Sequence, residues 1–269
     1  MDLLDDATLD AYLARIGITP RPRADLDALR ALTFAHLTTI PFENLDILLG
    51  EPIRIDLPSV IAKLVTRRRG GYCFEQNAIF AAVLRTLGFG VTTLAARVRI
   101  GATVPTPRSH MMLAVDVPDA GRWLADVGFG GQCITAPMPF EPGELQMHRD
   151  RYRLVETAGP GLMLQMIGSD GAWVDEYVFT FEPQLPVDYE VSNWFTSTSP
   201  QSHFTRGPTV ALTTKTGRLT YRGGELVRRG GGDVLHKEAI TDGDRLLDVL
   251  ASEFGLTFPP GTRFRGGPP

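Results

Sequence analysis

Arg69-Gly70-Gly71-Tyr72-Cys73-Phe74-Glu75-Gln76-Asn77 is the densest signal in the chain. Its two glycines permit backbone angles closed to other residues, which predicts a sharp turn into a helix. Ile79, Phe80, Val83, Leu84 and Leu87 then recur at helical spacing, and Gly88 closes the segment. Cys73 therefore falls in the first turn of a helix. Unpaired N–H groups and the positive end of the dipole favour thiolate over thiol there. A free cysteine is only about a few per cent ionised at pH 7, so a thiolate nucleophile needs that help or a base. The alternative for Cys73 is a small buried hydrophobe, the habit of most lone cysteines.

Upstream of this stretch the pattern stays helical. Leu9, Tyr12, Leu13 and Ile16 share a face, with Gly17 as a stop. Leu26, Leu29, Leu32 and Thr33 make a second helix that must end before Pro41. A third begins near Asp56 and Pro58, with Val60, Ile61, Leu64 and Val65 inward. Downstream the period changes to short β-like runs at 91–98, 110–117, 122–127, 152–156, 162–167 and 173–181. Residues 183–188 read as a crossing segment. Strands at 210–213 and 219–222 flank the turn Lys215-Thr216-Gly217, and a helix with Leu246, Leu247, Leu250 and Phe254 stops at Gly255. The tail Gly266-Gly267-Pro268-Pro269 is expected to fray. Helices, then strands, then a mixed end predict an α+β fold, divided at 1–90, 91–190 and 191–269.

A base for the cysteine is available in His110, which opens the run Met111-Met112-Leu113-Ala114-Val115. Asp126 lies in Trp123-Leu124-Ala125-Asp126-Val127-Gly128-Phe129-Gly130, where a carboxylate is costly unless paired. Pro118-Asp119-Ala120-Gly121 between the two runs is a turn sequence, so they should form an antiparallel hairpin. If Asp116 pairs with Arg122, His110 and Asp126 are diagonal neighbours on one face. If Val117 pairs with Arg122 they fall on opposite faces. Singly, Asp126 could cap a turn and His110 could be a satisfied strand-end histidine. Together, cysteine, histidine and aspartate on a helix and two adjacent strands match the papain-like and transglutaminase-like arrangement.

The set 69–77, Ile40-Pro41-Phe42-Glu43-Asn44-Leu45, Ser109-His110, Asp126-Val127-Gly128-Phe129-Gly130-Gly131, Trp194-Phe195-Thr196-Ser197-Thr198 and Ser202-His203-Phe204 resembles the bacterial arylamine N-acetyltransferases from first helix to last. The resemblance implies an N-terminal helical bundle, a central antiparallel β-barrel and a C-terminal α/β lid. It implies a ping-pong transfer from acetyl-CoA to an aromatic amine or hydrazine through an acetyl-cysteine. It casts Cys73 as nucleophile, His110 as base, Asp126 as its orienter, and Phe42, Phe129 and Phe204 as lining for the acceptor. Ser109, Gly130 and Gly131 are the candidates to meet CoA, the glycines by letting a pantetheine arm approach the backbone, unless they simply turn the chain after a strand. An amide synthase of a polyketide pathway, a cysteine hydrolase with the same triad and a non-catalytic binding protein are the rivals.

Composition narrows the partners. With 269 residues, 43% of them hydrophobic, the chain can bury a large core. A net charge of −4 gives no concentrated basic face for nucleic acid. No apolar run of about 18 residues predicts a membrane span, and the start Met1-Asp2-Leu3-Leu4-Asp5-Asp6 lacks the features of a secretory signal. Two cysteines suit a reducing cytoplasm better than a disulfide framework, and Cys133 reads as structural. His36, His148, His203 and His236 make no metal-ligand pattern, and Gly230-Gly231-Gly232 is not a phosphate-binding loop. Of Arg67-Arg68-Arg69, which could steer CoA phosphates or simply cover a solvated helix end, Arg69 is expected to pair with Glu43. A homo-oligomer is compatible with all of this.

Overall fold

The structure, a computed structural model, describes residues 3–147, 150–168, 170–230 and 233–269. His148, Gly231 and Gly232 lie outside the described residues. The first helix, α1, covers Asp6–Ile16, started by the Asp5 side chain on the Thr8 N–H and ended by Gly17 at φ +74°. Next come α2 (Leu26–Thr39, capped by Asp25), the short strand β1 (Phe42–Glu43) and one further short helix, α3 (Leu45–Leu49). Asp56 caps α4 (Leu57–Ile61), whose end widens into a turn of π-helix, Ala62–Thr66. The helix carrying the cysteine is α5, Cys73–Thr86. The apolar faces read from the sequence meet in one core, with Leu29, Leu32, Val60, Leu64, Ile79, Phe80, Val83 and Leu84 wholly buried. Each contributes about 1.5–3 kcal/mol of burial, which is why these faces decide the packing.

Eight strands follow the helices: β2 (Gly90–Val98), β3 (Arg108–Val117), β4 (Gly121–Ala125), β5 (Met138–Pro139), β6 (Gly143–Met147), β7 (Asp150–Glu156), β8 (Leu162–Ile167) and β9 (Trp173–Phe179). They pair antiparallel in the order β5-β4-β3-β2-β9-β8-β7-β6 and curl into a nearly closed barrel. Strand β3 is buried on both faces. Met112 and Ala114 point into the barrel with Tyr152, Leu164 and Tyr177, while Met111, Leu113 and Val115 pack on the helical core. That double burial explains an unbroken apolar run where a one-sided strand would alternate. Strand β4, expected to reach 127, stops at Ala125 because the Val127 N–H goes to the Asn77 side chain, 3.1 Å away, and not to a neighbouring strand.

The remainder comprises α6 (Pro186–Thr198), β10 (Thr209–Thr214), β11 (Gly217–Arg222), β12 (Glu225–Gly230), β13 (Asp233–Ala239) and α7 (Gly243–Phe254). Strands β10 to β13 form a five-stranded sheet with β1 at its edge, Phe42 opposite Ala211. Helix α7 lays Leu246, Val249, Leu250 and Phe254 against Val210, Leu219 and Tyr221 of that sheet. The segment 183–188, read as a crossing, in fact runs into α6. That helix buries Tyr189, Asn193 and Thr196 but exposes Val187, Val191 and Trp194, so its hydrophobic period is inverted and invisible to pattern reading. β12 and β13 were not anticipated either; β13 is almost wholly exposed, Val234 and Leu235 included, so it has no buried face to set an alternating pattern. The tail is not frayed: the Arg265 N–H donates to Leu48 and the Pro269 carbonyl accepts from Gly243 at 2.7 Å.

Candidate active site

The turn before α5 is built by charge and by close approach. Neither Gly70 nor Gly71 has a positive φ, contrary to the conformational argument from sequence. A side chain on Gly70 would collide with the Pro41 carbonyl, and one on Gly71 would sit 2.7 Å from a Glu75 carboxylate oxygen. That carboxylate belongs where it is, because it accepts the Tyr72 N–H at 3.0 Å and so closes the helix start. Buried Lys63, turned inward by the π-helical turn, holds Glu75 at 2.8 Å and Asp46 at 2.9 Å. Arg69 meets Glu43 at 2.7 Å, as the sequence predicts, and Asp46 at 2.8 Å. Burial pushes the Glu75 carboxyl up, an effect that Lys63 opposes. Arg67 and Arg68 are exposed.

Cys73 is the first residue of α5 and is 4% exposed, with Sγ 3.7 Å from the Ser109 carbonyl oxygen. Asp116 pairs with Arg122 in the β3–β4 hairpin, the register the site requires. His110 and Asp126 accordingly meet inside the protein, Nε2 to Oδ2, at 2.7 Å. The other carboxylate oxygen accepts from the Gly128 N–H at 2.8 Å and the Asn77 side chain at 3.0 Å. Asn77 lies one helical turn after Cys73, so a single helix face presents the sulfur and fixes the acid. Burial alone would lower the His110 pKa, but the charge and hydrogen bond of Asp126, helped by Cys73, push it up to about 10. Burial would likewise raise Asp126, yet His110, Asn77 and Gly128 together hold it below the usual carboxylate range. Asp126 thus favours an imidazolium once the ring gains a second proton, and it engages Nε2, leaving Nδ1 as the ring nitrogen outside that bond.

Aromatic rings surround this centre. Phe129 packs edge-on to His110 at 4.8 Å between ring centroids, and Tyr177 lies 5.0 Å from His110 and 4.8 Å from Phe129. Phe204 contacts Phe42 at 5.8 Å and Tyr72 at 5.7 Å. Gly130, at φ +71°, leaves room for Phe42, whose ring would lie 3.3 Å from an added Cβ, while Gly131 is pressed against Thr220. Gly128 touches Cys73 and Asn77 so closely that an added Cβ would fall 2.7 Å from the Cys73 Cα. Cys133 is buried, donates to the Asp126 carbonyl at 3.0 Å, and is pushed well up by burial, an inert thiol; both cysteines are free. Burial and the charges of Arg222 and Arg206 bring His203 down to about 4. Among the described residues no cluster of side chains could hold a metal. Sequence reasoning missed Asn77, Lys63, Tyr177 and Arg218. Only the fourth-residue spacing of Asn77 from Cys73 offered a signal.

The family model described as N-acetyltransferase matches residues 25–261. An arylamine N-acetyltransferase of Mycolicibacterium smegmatis is 42% identical over 254 residues, 92% of this chain and 91% of that one. Among solved structures, arylamine N-acetyltransferase from Salmonella typhimurium superposes with a TM-score of 0.90 at 34% identity, covering 98% of this chain and 96% of that one. The Mycobacterium marinum enzyme in complex with CoA gives 0.87 at 38% identity, covering 92% of each chain. With helices, barrel and sheet shared over nearly the whole length, the chain belongs to the arylamine N-acetyltransferase family.

Proposed function

We propose that this chain moves an acetyl group from acetyl-CoA to the nitrogen of an arylamine, arylhydrazine or N-hydroxyarylamine, in two half-reactions through Cys73. The observation that carries it is the 2.7 Å His110–Asp126 bond set beside a cysteine at a helix start. His110 takes the thiol proton, and Asp126 stabilises the resulting imidazolium. The thiolate attacks the thioester carbonyl while N–H groups at the start of α5 offer hydrogen bonds to the developing oxyanion. The tetrahedral species collapses with loss of the CoA sulfur, which recovers the proton from His110. The amine then attacks the acetyl-Cys73 carbonyl, gives its proton to His110, and the Cys73 sulfur leaves. An aromatic amine or hydrazine is uncharged at pH 7 and keeps its lone pair for this step, whereas an aliphatic amine is mostly protonated. Phe42, Phe129 and Phe204 supply faces for a flat ring. Ser109, Gly130 and Gly131 are the proposed neighbours of CoA.

The proposal includes a three-part division at 1–90, 91–190 and 191–269, contributing the nucleophile, the His–Asp pair and the lid. No helix among the described residues is long and apolar enough to cross a membrane, and free thiols fit a cytoplasmic setting. Intact-mass measurement after mixing with acetyl-CoA tests the scheme. One acetyl group should appear, vanish on adding an arylhydrazine, and never form on Cys73→Ala. An adduct that decays equally fast without amine would indicate a hydrolase, and turnover by Cys73→Ala would end the nucleophile assignment.

A further inference from the structure

One buried acid takes no part in the scheme above. On β9 the register with β8 slips: Leu164 faces Tyr177 but Gln165 faces Asp175, so Glu176 has no partner opposite. The bulge places two consecutive residues, Glu176 and Tyr177, inside the protein, both fully buried. Bulges concentrate beside active sites because they re-aim a side chain that simple alternation would send elsewhere. Here Oε1 of Glu176 accepts from the Gln132 side chain at 3.2 Å, and buried Oε2 has no hydrogen-bond partner among the described residues. A buried polar atom left unpaired costs roughly 1–3 kcal/mol, so the arrangement needs a reason.

The reason lies in what Gln132 belongs to. It ends the turn Gly130–Gln132, which directly follows Phe129, the ring against His110. Main-chain oxygens of this turn are also held by Arg218, which donates to the carbonyls of Gly131 and Cys133, and by Tyr152, which donates to the Cys133 carbonyl at 3.0 Å. Arg218 additionally binds Asp150 at 2.7 Å and the Tyr152 hydroxyl. Both of its terminal nitrogens are therefore engaged.

We propose that Glu176 is a positioning residue for acetyl transfer, its carboxyl gripping the Gly130–Gln132 turn through Gln132 and so fixing the wall of the cleft beside His110. This rests on the acetyl-transfer scheme for the same site. Burial away from water pushes the Glu176 carboxyl up to about 8, with Asp175 on its own strand adding to the effect and Arg218 opposing it. Cys133 on the turn and Tyr177 beside it are the other titratable groups that feel its charge. Near neutral pH the acid stays protonated and the turn stays put. Ionisation leaves a buried anion that must shift toward water or toward Arg218, and in either case it draws with it the Gln132 side chain that it holds. Either response moves the turn and weakens the hold on the acetyl donor.

The test is the first-turnover release of CoA against acetyl-CoA concentration, from pH 6 to 9.5, in wild type, Glu176→Gln and Gln132→Ala. In wild type the half-saturating concentration should climb by up to about tenfold per pH unit once Glu176 ionises, with the limiting rate changing much less. Glu176→Gln keeps the hydrogen-bond acceptor and cannot ionise, so it should stay within about threefold of wild type at pH 7 and show no climb. Gln132→Ala should start from a weaker half-saturation and likewise show no climb, because the link to the turn is cut. A residue that merely stabilised the fold would leave the pH dependence unmoved. A climb that persists in either variant, or is absent from wild type, overturns the proposal; should Glu176→Gln not fold, Gln132→Ala decides alone. Were wild type to release no CoA and form no acetyl adduct at any pH, the transfer scheme itself would fall and this inference with it.

Discussion

Replacing Asp126 by Asn isolates what the buried acid does. Oδ1 of Asp126 accepts from both the Asn77 side chain and the Gly128 N–H, so only an oxygen can occupy that position. The amide of Asp126→Asn must therefore turn its NH2 toward His110 Nε2. Nε2 then has to accept, which drives the ring proton to Nδ1, the nitrogen that should take the thiol proton. The charge is lost at the same time. Asp126 is the main influence that lifts His110 from 6.5 to about 10 against burial, a bias on the order of 10³-fold in proton affinity. Without it burial wins, and His110 falls to or below its ordinary value. Cys73 then loses the neighbour that would take its proton. Alkylation of Cys73 by iodoacetamide, followed by peptide mass, should slow by about 30-fold or more at pH 7. Turnover, which also needs the base, should fall by roughly 10³–10⁴. Alkylation within about threefold of wild type between pH 6 and 8, with an unchanged circular dichroism spectrum, would refute the wrong-tautomer argument.

Three further outcomes follow from the same geometry. Arg69→Met leaves wholly buried Glu43 without its arginine and should cost about 3–5 kcal/mol in a urea melt, whereas a change under about 1 kcal/mol would mean the pair is dispensable. Gly128→Ala pushes a methyl group to 2.7 Å from the Cys73 Cα; it should reduce acetyl-enzyme formation at least about tenfold with secondary structure intact, and normal kinetics would show that the backbone can yield. His110 is raised on folding, so its pairing stabilises fully below its unfolded pKa of about 6.5 and the contribution is lost as pH climbs toward about 10. The melting temperature of wild type minus that of His110→Gln should thus be flat up to about pH 6.5 and shrink above it, and a difference that grows with pH has the wrong sign.

Much of this molecule was legible before any coordinates. Local physics sufficed for α1, α2, α5 and α7, because Gly17, Pro41, Gly88 and Gly255 stop apolar faces of helical period that turn out buried or half-buried in the cores. The β3–β4 register was already narrowed to two choices by the period-two rule, and only one let His110 reach Asp126. Residue types with few alternatives, a glycine pair before a cysteine and an acid inside an apolar run, pointed to the triad, and the opposition of Arg69 to Glu43 was anticipated as well.

Long-range proximity decided the rest. Gly70 and Gly71 are glycines because of the Pro41 carbonyl and the Glu75 carboxylate, not because of their own torsions, and sequence carries no record of such contacts. Helix α6 hides its period because its outward face is the apolar one. Asn77 becomes the fixture of Asp126 only when α5 packs across the end of β4, and the tail is ordered because Leu48 and Gly243 happen to meet it. The inward turn of Glu176 depends on a one-residue slip between two strands. Sequence determined which chemistry was available and on which local element each group sits, since propensity and periodicity act over a few residues. The tertiary structure decided which groups are dry and which charges meet there: the Asp126 carboxylate makes His110 basic against its own burial, while burial makes the Cys133 thiol inert and the Glu176 carboxyl neutral.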